Sequence, residues 1–466
     1  MFAQEIEWQK TIGGSDNDQL YSIHQTIDGG YILGGNSASN ISGDKTENSR
    51  GFEDYWIIKT DENGIIQWQN TIGGSAFDYL SSVIQTTDKG YLLGGYSSSS
   101  ISGDKTVNCL GSHDFWIVKI DSIGNIQWQS TIGGGLSDML VSAKQTIDGG
   151  YILGGSSGSN ISADKSENCI GGWFDYWLVK TDVSGNIQWE NTIGGSSDDQ
   201  LQSIEQTTDG GYILGGSSVS DISGDKTESS LGDYDCWIIK TDLLGNIQWQ
   251  NTIGGDKRDM LFSIQQTIDN GYIFGGWSES NISGDKTENS LGSFDYWLVK
   301  VDSLGSIQWQ NTIGGEGNDD IRSVEQTSDG GYILCGSSYS SISGDKSESA
   351  LGQVWDYWIL KTDALGNIQW DNTIGGFLSD VSNTIIQTSD EGYVLGGQSV
   401  SNISGDKAEN CKGNEDFWII KLTDKYNLIT GNLFADFNSN GVQDSGDFPK
   451  PSVKITEQKY WSIWLQ

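Results

Sequence analysis

Between Asp436 and Asp447 the chain reads D-F-N-S-N-G-V-Q-D-S-G-D, an alternation of oxygen donors that suits a hard divalent cation. Counting Asp436 as position 1, ligands fall at positions 1, 3, 5, 7, 9 and 12: Asp436, Asn438, Asn440, the Val442 carbonyl, Asp444 and Asp447. Gly441 takes position 6, where such a loop turns sharply, and calcium is the cofactor this spacing implies. Asp447 replaces the longer glutamate usual at position 12, which shortens the reach and weakens the site. A polar turn that happens to fit is the plain alternative, and no helical pattern flanks the segment.

A second set of candidate ligands recurs in I-S-x-D-K loops: Asp44/Lys45, Asp104/Lys105, Asp164/Lys165, Asp225/Lys226, Asp285/Lys286, Asp345/Lys346 and Asp406/Lys407. These read as a ring of cation or partner sites or, more simply, as side-chain to backbone bonding that organises loops. The Asp18 series, four residues after a G-G pair, reads as loop capping. Trp173, Trp277 and Trp355 break the pattern around them and are candidate contacts for a protein or glycan partner. Catalysis has little to stand on. The two histidines, His24 and His113, lie in non-equivalent places, and repeated carboxylates do not single out an acid and a base with separated pKa values.

The elements that must position these groups come from a repeat. The tryptophan of I-Q-W returns at Trp8, Trp68, Trp128, Trp189, Trp249, Trp309 and Trp370; that of D-[YF]-W returns at Trp56, Trp116, Trp177, Trp237, Trp297, Trp358 and Trp418, with Cys236 replacing the aromatic once. The spacing is 60 or 61 residues throughout, the mark of a repeat architecture. Each copy offers four short strands. In one passage these are Ile126–Ile132, Val141–Thr146, Tyr151–Gly155 and Tyr176–Lys180, with a polar loop from Ser156 to Phe174. D-G-G and D-x-x-G-N segments supply the φ > 0 positions that tight hairpins need.

Four antiparallel strands in seven units predict an all-β fold, a seven-bladed β-propeller. The chain opens with an I-Q-W strand (6–12) and the last copy stops after D-F-W (416–422), so the N-terminal strand completes the last blade and leaves no exposed blade edge. The fourteen repeated tryptophans read as cement between blades. The propeller spans 1–424, and 425–466 is a short C-terminal β-type fragment.

Formal charge is -37, with 63 acidic against 26 basic residues, a poor surface for nucleic acid or an anionic membrane. No apolar run approaches the ~18 residues a spanning helix needs. Cys109, Cys169 and Cys411 share one repeat position and Cys236 and Cys335 stand alone, so mostly free thiols are expected.

T-I-G-G-x-x-x-D, G-G-Y-I-L-G-G and D-Y-W-[IL]-[IV]-K-T-D-x-x-G-N-I-Q-W resemble the bacterial β-propeller repeats of secreted and cell-surface proteins, especially those of Bacteroidetes. The resemblance implies extracellular placement and a sorting or adhesive module after the propeller. Phe2-Ala3-Gln4 resembles the tail of a truncated secretory signal. The segment from Asp436 also resembles the opening of the calcium-binding B-type domain of serine-aspartate repeat surface proteins, here cut short.

The expectation is therefore a monomeric, non-catalytic binding or adhesion scaffold, secreted or on the cell surface. A protein or glycan partner would sit on the face carrying the long loops, with no nucleic acid and no membrane insertion. The alternatives are a multivalent lectin and a propeller hydrolase or lyase with its site on that face.

Overall fold

The computed structural model describes residues 4–423, together with the backbone of Phe434–Ala435 and Phe448–Pro449. The first blade shows how each copy folds. Its inner strand Asp18–Gln25 pairs with Tyr31–Ser37, which pairs with Asp54–Thr60, which pairs with the outer strand Ile66–Ile72, all antiparallel. The first hairpin closes at Asp28, whose carboxylate accepts from Gly30 N at 3.2 Å while Gly29 takes φ 87°. In the second hairpin Asp61 Oδ1 accepts from Asn63 N and Ile65 N, each at 2.9 Å. Five more complete sheets follow the same order. The boundaries of the inner strands differ from expectation. In the third blade the strand runs Asp138–Gln145, beginning before Val141, because Asp138 N donates to His113 O at 2.8 Å and draws the strand back toward the loop.

The seventh sheet closes the ring. Its order is Ile6–Ile12, Asp416–Leu422, Tyr393–Ser399, Asp380–Gln387, with Thr11 opposite Trp418 and Ile12 opposite Phe417. A second closure lies at the short-turn ends of the inner strands. Gln85 Oε1 accepts from Ile27 N at 2.8 Å, and the same bond steps from blade to blade until Gln25 Oε1 accepts from Ser389 N at 2.9 Å.

Among the described residues there is no single core. Seven apolar clusters each lie between two neighbouring blades, and the one joining last to first holds Leu20, Ile23 and Trp56 against Val394, Phe417 and Ile419. The two tryptophan series part company here. Trp56 and its six counterparts are at most 1% exposed, with Trp56 Nε1 donating to Gln69 Oε1 at 3.0 Å. Burying such a ring, ~150–250 Å² at ~25 cal/mol/Å², contributes about 4–6 kcal/mol before entropy. The outer series is mostly half-buried. Trp8 lies 5.9 Å from Tyr31 and covers the next blade's turn, where a Cβ on Gly64 (φ 73°) would come within 2.9 Å of the ring. All fourteen tryptophans do join blades; the inner seven are sealed from water, and of the outer series Trp370 is buried as well.

One aromatic is missing from the repeat and is compensated nearby. Cys236 stands where Tyr55 or Phe115 stands elsewhere, and Phe274 replaces the leucine of the other copies (Leu33, Leu93). Cys236, Phe274 and Trp297 share one cluster, with Phe274 edge-on to Trp297 at 6.5 Å. The five cysteines are free thiols.

The chain separates into two compact units, Met1–Asp424 and Lys425–Gln466. In the second, Phe434 pairs with Pro449 and Ala435 with Phe448, an antiparallel ladder whose ends bracket 436–447. The expected ligands Asp436, Asn438, Asn440, Val442, Asp444 and Asp447 lie outside the described residues. Among the described residues no helix is long and apolar enough to cross a membrane.

Candidate interaction face

Strand direction puts the blade-to-blade connections (13–17 in the first copy) and the long loops (38–53) on one face, with the tight turns on the other. The I-S-x-D-K loops are anchored rather than open. Asp44 N donates to Gly13 O at 2.8 Å, and its carboxylate accepts from Gly13 N at 3.2 Å. Lys45 turns inward: it is 2% exposed, donates to Thr71 Oγ1 at 2.9 Å, and holds Nζ 5.0 Å from the Trp56 ring centroid. All seven lysines sit over their tryptophans in this way. Burial pulls the Lys45 ammonium down to about 8, with Asp18 and Asp54 drawing it back. Of the two readings of these loops, bonding that organises the loop is what the geometry supports. Among the described residues no group of three His, Cys, Asp or Glu is placed to hold a metal.

The Asp18 series caps loops, as its spacing suggests. Asp18 is fully buried, and its Oδ2 accepts from Gly14 N at 2.6 Å and Ser39 Oγ at 3.0 Å. Asp54 lies beside the Asp78 carboxylate of the next blade. Burial, against bonds from Arg50 N and Gly51 N, pushes its pKa up to about 6. In the counterpart Asp356 burial carries it up to about 8.

The isoleucines of the I-S-x-D-K loops are exposed on this face in every copy, from Ile41 to Ile403, and beside them stands an irregular set of aromatics. The carbonyl of the residue just before D-[YF]-W accepts from the first N–H of the next inner strand at 2.6–2.9 Å in every copy, so its side chain stands at the same place in each blade. Those side chains are Glu53, His113, Phe174, Tyr234, Phe294, Trp355 and Glu415, all half-buried. Five consecutive blades thus carry an arc of rings, and two carboxylates fill the gap. The sequence hides this column because no two of its rings share a residue type except Phe174 and Phe294.

The three tryptophans singled out by sequence do not form one site. Trp277 packs on Phe294 at 5.0 Å and Phe294 on Trp355 at 6.3 Å, so these two join the arc in the fifth and sixth blades. Tyr339 adds a fourth ring 6.2 Å from Trp355. Beside it a shallow cleft of about 280 Å³ is lined by Glu316, Gly317, Tyr339, Ser340, Ser341 and Gln353. Gln353 closes a short 3-10 turn, Leu351–Gln353, with φ 57°. Trp173, 79% exposed in the third blade, has no ring beside it among the described residues. The histidines are also apart. His24 lies on the first inner strand, whereas His113 packs edge-on to Tyr96 at 5.7 Å.

No family model matches the chain. One curated relative, the regulatory protein FlaEY of Caulobacter vibrioides, is 26% identical over 193 residues, covering 39% of this chain and 20% of that protein's length. Solved structures of similar shape include a protein of unknown function from Dyadobacter fermentans (TM-score 0.45, 8% identity, covering 91% of this chain and 99% of that one). Hydrazine synthase of Kuenenia stuttgartiensis gives 0.48 and 9%, covering 85% and 96%. The Pan2 WD40 domain of Neurospora crassa gives 0.46 and 10%, covering 90% and 97%.

Proposed function

We propose that the protein is a non-catalytic binding or adhesion scaffold acting outside the cell, with its partner held on the long-loop face. The arc of half-buried rings at one repeat position is the observation that carries this reading. A regular scaffold needs no such rings for folding, and clustered aromatics supply large contact area at low entropic cost. The sequence resemblance to secreted and cell-surface repeats supports the extracellular placement. A lectin is the second reading, favoured by the cleft beside Tyr339, where a ring meets hydroxyl, amide and carboxylate groups suited to a sugar.

The test is a screen of neutral glycans and uncharged peptides against wild type and a Phe174→Ala, Phe294→Ala, Trp355→Ala variant. A ligand of the wild type should lose tenfold or more affinity on a variant that still melts normally. Undiminished binding would overturn the reading, and turnover of a substrate would overturn its non-catalytic part. For the segment 436–447 we propose a weak calcium site. Calorimetric heat should vanish in Asp436→Ala, Asp444→Ala, and identical titrations would remove the claim.

A further inference from the structure

The arc is interrupted where the ring is sewn shut, between the last, first and second blades. There the equivalent side chains are Glu415 and Glu53, both half-buried. Gln19 Nε2 donates to Glu415 Oε2 at 2.7 Å, and the Tyr21 hydroxyl donates to Gln19 Oε1 at 2.8 Å. Neither glutamate forms an ion pair among the described residues. The cations of their own loops are committed elsewhere: Arg50 to Asp104 at 2.9 Å, and Lys412 to Asp44.

Aromatic rings line the Glu53 side of the seam, where Glu53 bridges to Phe77. Tyr79 packs on Tyr96 at 5.2 Å, Phe77 stacks on Tyr79 at 5.6 Å and Phe52 stacks on Phe77 at 4.8 Å. Tyr21 is 37% exposed and is tied to Glu415 through Gln19, while Glu53 bridges to Phe77, which stacks on Tyr79. Burial, then Tyr96, Glu53, Glu415 and Tyr79, raises the pKa of the Tyr21 phenol. Burial, then Glu415 and Asp16, holds the Glu53 carboxyl above the ordinary range. Two acids and three phenols with no cation among them form an environment that a positive charge would relieve. A ring face attracts a cation within ~6 Å, more strongly when water is excluded.

We propose that this seam is a cage for a lysine or arginine side chain on a basic segment of a partner protein, with Glu53 and Glu415 supplying charge and Tyr21, Tyr79 and Tyr96 the walls. The inference rests on the reading of the long-loop face as a binding surface and names its partner's chemistry. A hydrated divalent ion fits less well, since two carboxylates and neutral phenols fall short of the roughly six to eight strong oxygen ligands calcium takes, whereas ring faces favour an organic cation. The overall charge of -37 steers basic partners toward the molecule, and the cage selects among them.

The test is calorimetry of the full chain with acetylated Gly-Ser nonapeptides carrying a single central lysine, arginine or norleucine. The lysine or arginine peptide should bind and the norleucine peptide should not. Glu53→Gln and Tyr96→Ala should each weaken binding tenfold or more. Asp221→Asn, an exposed acid of the fourth blade, should leave it unchanged. Should Tyr96→Ala fail to fold, Glu53→Gln, Glu415→Gln serves in its place. No binding, binding of norleucine, or equal weakening by Asp221→Asn would overturn the cage. None of these results touches the arc, whose test uses uncharged ligands and other blades.

Discussion

Asp356 is a fully buried carboxyl whose Oδ2 is held by the backbone N–H of Leu351 and whose Oδ1 finds no partner among the described residues. Burial disfavours its charged form and lifts its pKa from 3.8 to about 8, although Lys346 pulls the other way. A group raised in the folded state stabilises fully below its unfolded pKa. That contribution is lost as pH rises, here from about 4 through about 8. Asparagine keeps an acceptor for Leu351 N and carries no charge to bury. Asp356→Asn should therefore match wild type near pH 4 and become the more stable form by pH 8, by on the order of 1–3 kcal/mol. Denaturant melts across that window check it, and parallel pH curves for the two proteins would contradict it. The sequence shows this aspartate recurring in every copy, but not its burial: a repeated Asp in a polar loop looks the same whether it faces water or the next blade.

The blade is the unit in which sequence is most legible, because period-2 patterning, D-G-G turns and tryptophan spacing all describe one sheet. What it conceals is how neighbouring blades compensate one another. Cys236 and Phe274 belong to different copies, and each alone looks like a random departure from the repeat. In the fold they fill one space against Trp297. Cys236→Tyr should overpack that space and cost about 1–3 kcal/mol. Phe274→Leu should leave a void of similar cost. The double variant, which restores the sequence of the other copies, should recover most of both losses, a coupling that a double-mutant cycle measures. Strict additivity would mean that the two positions do not share a cavity. The aromatic arc was hidden for a related reason. Trp277 and Trp355 stood out as rare residues, whereas Phe294, which joins them, sits at an unremarked position of the repeat.

At the scale of the whole molecule, seven inter-blade cores give stability only if every blade has two neighbours, so closure is what makes the ring one cooperative object. Three independent contacts bear on it: the pairing of Ile6–Ile12 with Asp416–Leu422, the step from Ser389 N to Gln25 Oε1, and Lys407 Nζ on Thr11 Oγ1 at 2.6 Å. The strand count at the two ends announced this closure in the sequence. A binding role does not follow from it, since the same ring can carry any set of loops. The proposed cage straddles the last and first blades, which only closure brings together, whereas the arc runs over blades that follow one another in the chain. The most direct measurement is thermal unfolding, with mass by light scattering, of the protein lacking residues 1–14. A ring closed by its N-terminal strand should lose cooperativity, melt lower, or associate through the opened edge of the last blade. A trimmed protein that melts like the parent and stays monomeric would contradict the account.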